Sequence, residues 1–527
     1  MTAFRELRQT HRNYGLLAVA TDIINRIGYR FGITHVEKIF VIEELARTSE
    51  FSANVLSADE IKHLQQQGMI TCDPEQITAA ECGQLICIAA TEQDRLCGLT
   101  WYAIQPYRYG GSTFAFFDPR YICGFGAFVH PDYRGRGVRD AIVAKAIEHA
   151  NSLGRRGIIA AISWTNFASL RSAARIGYKA IGLAYCCPWL PSHRHRPYYQ
   201  LRKLETTTPI TTAFISTSVS AVLELLYRKS ILLLVIDAAP KRPTSQNPLR
   251  RILARTQHQS VSDWAYARGV PCIRFLSDNQ STTAEAIRAS HADYLISYTA
   301  PLFNEEILLA PKKAAVNIHP SLLPDYRGGA PLPWQVLREE AITGASLHLL
   351  TMKIDQGAVL AQVQSELPAG LSKKALFELA RNNAARALDT WLDKHLSDSL
   401  LSGVAQPEQS DTPFARNRTL ADLNRELDWH QDSTAKLFAL ARYLERWPTE
   451  LNQPPGLLPW LPWRACSLEE SCSNLHSVQW RYSWKGLQFR NAKGQITLRP
   501  SLNPLHWLSH WRNWRRLARE QGENIYL

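Results

Sequence analysis

The chain has little that would take it into a membrane or out of the cell. Its longest compact apolar run, Ile231 to Ile236, is of strand length and far short of the ~20 residues that cross a bilayer. No signal peptide is legible. Arg5, Glu6, Arg8, Arg12, Asp22 and Arg26 break up the N-terminal stretch, and no small-residue cleavage pattern follows. Ten cysteines show no CxxC pairing and no zinc-ligand spacing. This predicts reduced thiols, no metal and a cytoplasmic location. The adjacent Cys186 and Cys187 are poorly placed to bridge each other. His193 and His195 lie in a turn-like stretch without a neighbouring carboxylate and read as a surface loop. The stretch 14–31 reads as an amphipathic helix, for which packing on its own core is the commoner use. Acid is locally absent too. From residue 149 to 204 there is no Asp or Glu, whereas Arg155, Arg156, Arg171, Arg175, Lys179, Arg194, Arg196, Arg202 and Lys203 all occur. With a net charge of +13, this favours an anionic partner: a nucleotide-bearing small molecule, RNA or an acidic membrane surface. A solvated basic face would give the same pattern.

What is present is enough chain for about three domains, with 45% hydrophobic and 20% charged residues as in globular proteins. Residues 1–205 mix strands and helices. Residues 85–128 are strand-rich, and 139–152 and 166–176 have helical spacing. Leu204 to Pro209, with three consecutive threonines, reads as a linker. Residues 206–405 alternate strands (Ile231–Ile236, Tyr294–Ser297) with helical patterns (Ser216–Tyr227, Thr282–Ser290). Such alternation predicts a parallel sheet with helices on both faces and a site at the carboxyl ends of the strands. In 406–527 a helix within Leu423–Arg446 is followed by Pro454, Pro455, Pro459 and Pro462. Three short strands then appear, at Val478–Ser483, Leu487–Arg490 and Gln495–Arg499, which suits a small barrel. The tail sets Trp507, Trp511 and Trp514 on one helical face beside Arg512, Arg515, Arg516 and Arg519. That face suits packing on the barrel better than binding nucleic acid.

The richest stretch is Asn317-Ile318-His319-Pro320-Ser321-Leu322-Leu323-Pro324-Asp325-Tyr326-Arg327-Gly328, answered by Asp355-Gln356-Gly357. Ala314-Ala315-Val316 reads as a buried strand leading into it. In extended backbone Asn317 and His319 share a face. An amide N–H can stabilise an oxyanion, an imidazole can move a proton and a carboxylate can orient and charge-stabilise the imidazole. That trio suits acyl transfer to an amine.

The string resembles the folate-dependent formyltransferases. The likeness continues through Ala330-Pro331, Trp334, Thr343-Gly344, Met352, Asp355 and Gly357, and then Glu426-Leu427-Asp428-Trp429, Ala441-Arg442 and Trp447-Pro448. It covers roughly 206–527. It implies transfer of a formyl group from N10-formyltetrahydrofolate to a primary amine, with Asn317, His319 and Asp355 catalytic and Ser321, Leu322, Leu323 and Gly357 against the cofactor. One departure is Ile215-Ser216-Thr217-Ser218, where the first strand of the family ends in a Gly-containing turn. The surroundings of Trp334 look closer to formyltransferases acting on nucleotide-linked amino sugars than to those acting on initiator tRNA. An aminoacyl-tRNA acceptor is the rival, supported by the positive charge.

A second constellation, Val129-His130-Pro131-Asp132-Tyr133-Arg134-Gly135-Arg136-Gly137-Val138, follows a strand expected at Tyr121–Val129. It precedes a helix with apolar Ile142, Val143, Ala146 and Ala150. A glycine-rich turn into a helix N-terminus offers backbone N–H groups to an anion. It resembles the acetyl-CoA loop of the GNAT acetyltransferases. The resemblance implies that Val129, Arg134, Gly135, Arg136, Gly137 and Asn166 hold that cofactor, with Ser169, Gly177 and Tyr178 in the following signature. Arg139 stands where the family has Gly or Ala, and Ala173 where a tyrosine acid is frequent. The domain is therefore either an acetyltransferase or a binding module. The expected architecture is α/β throughout: a GNAT-like α+β domain (1–205), a Rossmann-like parallel-sheet formyltransferase domain (206–405) and a small β-barrel-like domain (406–527).

Overall fold

The computed structural model describes residues 34–45, 49–93, 95–186, 199–206, 209–240, 259–394, 402–417, 420–445, 447, 463–470, 478–484 and 486–500, with single positions 20, 23 and 507. The helix expected at 14–31 apart from positions 20 and 23, the His193/His195 loop, Cys187, the prolines from Pro454 to Pro462 and the tail other than Trp507 lie outside the described residues. Contacts gather the chain into two compact units. One is Met1–Pro209 with Asp263–Pro271, and the other is Ile210–Ser262 with Cys272–Leu527. The division falls at the end of the Leu204–Pro209 stretch.

The first unit runs β1 (Thr34–Ile42), β2 (Ala53–Leu56), α1 (Ala58–Gln66), α2 (Pro74–Glu81), β3 (Leu85–Glu92), β4 (Arg95–Ala103), β5 (Tyr107–Gly110), β6 (Thr113–Phe117), β7 (Tyr121–Val129), α3 (Val138–Ser152), β8 (Gly157–Ser163), α4 (Phe167–Ile176), β9 (Lys179–Cys186) and β10 (Tyr199–Lys203). Its main sheet has the order β2-β3-β4-β7-β8-β1-β9, and β10-β6-β5 form a second sheet. Strand alternation splits the core in two. Phe40 and Ile42 face α3, which buries Val138, Ile142, Val143, Ala146 and Ala150 against Ile88, Ile122 and Ile158. Ile39 and Val41 face the other way, among Cys87, Leu99, Trp101 and Ile159. The adjacent strands β7 and β8 are parallel and pair only from Tyr121–Gly157 to Gly124–Ala160. Beyond those residues the pairing stops, although both strands continue.

In the second unit come β11 (Thr211–Ser216), α5 (Ala221–Lys229), β12 (Ile231–Asp237), β13 (Cys272–Arg274), α6 (Gln280–Ser290), β14 (Tyr294–Tyr298), β15 (Ala314–His319), α7 (Pro331–Leu337), β16 (Ile342–Leu349), β17 (Val359–Glu366) and α8 (Lys373–Asp393). The strand order is β13-β12-β11-β14-β15-β16-β17. It is parallel from β13 to β15 and antiparallel from β15 to β17. β11 is flanked by β12 on one side and β14 on the other. The chain thus reverses its direction of winding there and opens a crevice at the carboxyl ends. The helix expected from Ser216 begins five residues later, at Ala221, because Ser216 closes β11. The Ser216 hydroxyl donates to Ser218 O (3.0 Å) and accepts from Ser218 N (3.2 Å), a side-chain turn that does without glycine. Helices cover both faces. Ala284 and Ile287 of α6 pack with Ala213, Ile215, Leu234 and Leu295. On the opposite face Trp391 of α8 stands edge-on to Tyr294, with ring centroids 5.2 Å apart.

The rest of this unit comprises α9 (Leu420–Glu426), α10 (Thr434–Tyr443), β18 (Trp463–Glu470), β19 (Gln479–Ser483), β20 (Gly486–Asn491) and β21 (Gly494–Pro500). The helix expected within Leu423–Arg446 is α10; Asp428, which accepts backbone N–H bonds from His430 and Gln431, turns the chain between it and α9. The strands form an antiparallel sheet in the order β18-β21-β20-β19. Its core joins Leu487, Phe489, Ile496 and Leu498 to Leu437, Leu440 and Trp447, and reaches Leu337 of α7.

Trp391 is fully buried. Trp391→Ala is expected to destabilise the second unit by about 3–5 kcal/mol through lost burial and the cavity left behind. Urea unfolding should show that unit's transition moving to lower denaturant while the first unit's stays in place.

Candidate active site

Asn317 and His319 occupy the end of β15 on one face. Parallel pairing sets Ser297 beside Asn317, and antiparallel pairing sets His348 of β16 on its other side. The loop between β16 and β17 returns Asp355 to the same place. Asp355 Oδ2 lies 3.6 Å from His319 Nδ1, and its Oδ1 lies 3.4 Å from His348 Nε2. Asn317 Nδ2 is 3.2 Å from His348 Nε2. The structure therefore brings together the three residues singled out by sequence and adds His348. That histidine sits in the apolar run Ser346–Leu350, where nothing marked it; only strand register places it against Asn317.

Hydrogen bonds to carbonyls fix the imidazole tautomers, since a carbonyl can only accept. Tyr326 O lies 2.9 Å from His319 Nε2, so Nε2 carries a proton and Nδ1 faces Asp355. Leu349 O likewise takes His348 Nδ1–H at 2.9 Å. Burial pushes the His319 pKa below its ordinary value, and the charge on Asp355 opposes this only in part. For Asp355 burial acts upward, but once the imidazoles are protonated His348 donates to it from Nε2, and with the charges on His319 and His348 and the Gly328 N–H this holds it down at about 2. The site thus pairs an ionised carboxylate with a His319 that is neutral near pH 7.

The loops around this cluster are strained and tied down. Asp355 has φ 53° and Tyr326 φ 57°, left-handed values uncommon for side-chain-bearing residues. Gly328 N donates to Asp355 Oδ2 at 2.9 Å. A Cβ on Gly357 would sit 1.8 Å from Leu349 O, so only glycine lets the Asp355 loop approach β16. Residues 402–417 run over both loops. Thr412 Oγ1 accepts from Tyr326 N (2.6 Å), Ala415 N donates to Arg327 O (2.7 Å) and Ala330 N donates to Ala415 O (2.9 Å).

Other residues expected to touch the cofactor are placed as follows. Ser321 and Leu323 are buried and bonded inside the protein. Ser321 donates to Asp325 O (2.6 Å), Leu323 N to Ser346 Oγ (3.0 Å) and Gln362 Nε2 to Leu323 O (3.0 Å). Leu322 packs over Gly344, where a Cβ would meet it at 2.4 Å. These residues shape the turn. Trp334 is also buried, donating Nε1–H to Arg416 O at 2.9 Å and clustering with Tyr326 and Ala415; its role is packing. At the carboxyl ends of β11 and β14, Ser216 and Thr299 are hydrogen-bonded at 3.2 Å, next to the strand that bears Asn317.

In the first unit the glycine-rich turn does lead from β7 into α3. Gly135 and Gly137 have φ 82° and 90°, and Gly137 is the N-cap of α3. Arg134 Nε donates to Val129 O at 3.3 Å. Arg136 pairs with Glu92 at 3.3 Å and lies over the rings of Phe51 and Tyr133. Asn166 caps α4, accepting from Ser169 N at 3.1 Å, at the carboxyl end of β8. Arg139 is half-buried, and its charge acts on the buried phenols of Tyr102 and Tyr178. Asp140 was not singled out by sequence. Its carboxylate is buried in the first turn of α3, and Oδ1 has no hydrogen-bond partner.

Two family models match this chain: acetyltransferase (GNAT) family over residues 54–178 and formyl transferase over 250–390. Among solved structures, the chain is similar to HypX from Aquifex aeolicus in complex with tetrahydrofolic acid, with 14% identity and a TM-score of 0.34, over 55% of this chain and 44% of that one. It thus spans less than half of HypX. It is also similar to the N-formyltransferase from Helicobacter canadensis, in complex with folinic acid and dTDP-3-aminofucose (12%, TM-score 0.40, 55% of this chain and 99% of that one). A third similarity is to a likely sugar N-formyltransferase from Mycobacterium tuberculosis (16%, TM-score 0.31, 44% and 86%). By the two family matches the chain carries a GNAT acetyltransferase domain followed by a formyl transferase domain. Among the described residues no helix is long and apolar enough to cross a membrane.

The depressed pKa of Asp355 has a defined sign. Its stabilising contribution is complete above the unfolded value near 4 and is lost as pH falls toward about 2. A shift of that size corresponds to about 2 kcal/mol. Between about pH 5 and about pH 2.5 the parent protein should lose more stability than Asp355→Asn, as read from urea midpoints of the second unit. Equal losses would mean that the carboxylate is not held by the imidazoles and Gly328.

Proposed function

We propose that the second unit transfers a formyl group from N10-formyltetrahydrofolate to the primary amine of a small molecule, a nucleotide-linked amino sugar in particular. We divide the chain for this purpose as 1–205, 206–405 and 406–527. The observation that carries the reading is the convergence of Asn317, His319 and Asp355 at the carboxyl end of β15. The donor supplies an activated formyl carbon. Asn317 donates to the formyl oxygen as negative charge develops there. His319 Nδ1 takes the proton released by the attacking amine, and Asp355 stabilises the imidazolium so formed. The same imidazolium returns a proton to the departing folate nitrogen, so proton and charge balance over the cycle. Fusion to a second acyltransferase-type domain suits tailoring of a small amine.

An aminoacyl-tRNA acceptor is the second reading, favoured by the net charge of +13 and the acid-free stretch from 149 to 204. Incubation with N10-formyltetrahydrofolate and a panel of amines, followed by mass spectrometry, separates the two. Formylated sugar nucleotide with no inhibition by tRNA supports the first. Salt-sensitive formylation of aminoacyl-tRNA supports the second. His319→Ala should lower turnover on the order of a thousandfold or more, measured where the variant is folded, since loss of a buried partner of Asp355 and Tyr326 O also lowers the melting temperature. A variant with most of its turnover would remove His319 from the mechanism.

For the first unit we propose acetyl-CoA binding at the turn before α3. The positive-φ glycines and the helix N-terminus favour a pyrophosphate there. Asp140 in the same turn, Arg139 where a glycine or alanine would leave room, and Ala173 in α4 bear against acetyl transfer. Acetyl-CoA at millimolar concentration should raise the melting temperature of this unit by mass action. Arg134→Glu, a charge reversal that leaves the left-handed glycines intact, should abolish the rise. No rise in the parent protein would exclude the cofactor.

A further inference from the structure

Outside the reaction centre, a half-buried side chain holds both loops that fix Asp355. Gln406 lies in the segment that crosses them. Its Nε2 donates to Asp355 O at 3.0 Å and to Gly357 O at 2.6 Å. Its Oε1 accepts from Arg327 Nε at 3.1 Å and Nη2 at 2.9 Å. Arg327, itself 7% exposed, is further bound to Pro407 O (2.6 Å) and Glu408 O (3.0 Å). The residue after Arg327 is Gly328, whose N–H donates to the Asp355 carboxylate. One amide therefore grips the backbone of Asp355 on one side and, through Arg327, the donor that pins its side chain on the other. Neither loop would hold this position by local preference, since Asp355 and Tyr326 both have positive φ.

We infer that Gln406 is a positioning residue for Asp355: it sets the distance between the carboxylate and His319 and thereby the rate of the chemical step. The inference rests on the reading of His319 and Asp355 as the reaction centre. It differs from a general stabilising role because its effect must appear at His319. The titratable groups facing His319 are Asp355, from the β16–β17 loop, and His348, from β16, whose ring centroid is 6.4 Å away. Gln406 carries no charge of its own, so a neutral replacement changes the field at His319 by letting Asp355, or the Arg327 guanidinium that Gln406 also holds, move.

The test uses the full chain and Gln406→Met, which keeps the length and removes both donor and acceptor. Histidine-labelled NMR, with the His319 signal assigned by its absence in His319→Ala, follows the His319 titration; steady-state kinetics follow formyl transfer. The expected result is a His319 midpoint displaced to lower pH, because the nearby carboxylate supports the imidazolium. A kcat about tenfold lower or more should accompany it, with the KM for the amine within about twofold. A folded variant with the parent's His319 titration and kcat overturns the inference. If the parent protein transfers no formyl group, the proposed function fails, and the displacement of the His319 midpoint alone decides for or against Gln406. If Gln406→Met does not fold, Gln406→Asn is read in the same way. Its amide is one methylene too short to reach Arg327 and both carbonyls together, and an unchanged titration and kcat there overturn the inference equally.

Discussion

The largely buried carboxylate of Asp355 is the constraint around which the second unit is arranged. An ionised group that deep is tolerated only when its charge is answered. Here it is answered by a backbone N–H and, when they take up a proton, by two imidazoles, and each requires its own piece of architecture. Gly328 N must be turned inward by a left-handed Tyr326. His319 must end a parallel strand, and His348 must face Asn317 from an antiparallel one. Gly357 must lack a side chain so that the loop can lie on β16. The change from parallel to antiparallel pairing at β15 is what makes the cluster geometrically available.

The same logic explains why residues 402–417 return across the site. A loop whose backbone is strained at its functional position keeps that conformation only if the surroundings over-determine it. Backbone bonds at Ala415, the hydroxyl of Thr412 and the Gln406–Arg327 contacts supply that restraint. Trp334 and Tyr326 bury their rings together beneath it. Residues that resemble substrate-contacting signatures can thus act as the scaffold of the loop.

The first unit is less committed chemically. Its sheet separates β7 from β8 beyond Gly124, and its glycine turn points α3 at the opening. Yet Asp140 places a carboxylate in the first turn. A helix N-terminus favours an acidic side chain as readily as a bound anion, so the feature that would suit the turn to a phosphate also stabilises Asp140.

Local physics wrote much of this into the sequence. The strand Tyr121–Val129, the helix entered from Gly137, the alternation of strands and helices after residue 210 and the shared face of Asn317 and His319 all follow from periodicities and glycine geometry within a few residues. The failure was a local ambiguity: Ser216 satisfies the patterns of both a strand end and a helix start. What only the tertiary structure decided involves partners far apart in the chain. His348 reaches Asn317 through strand register, Gln406 reaches Asp355 and Arg327 through a returning segment, and Trp334 is a core residue because Arg416 lies over it. Side-chain chemistry states what a residue can bond to. Sheet order and register choose which of its potential partners arrives, because residues dozens of positions apart meet only once the strands between them have paired.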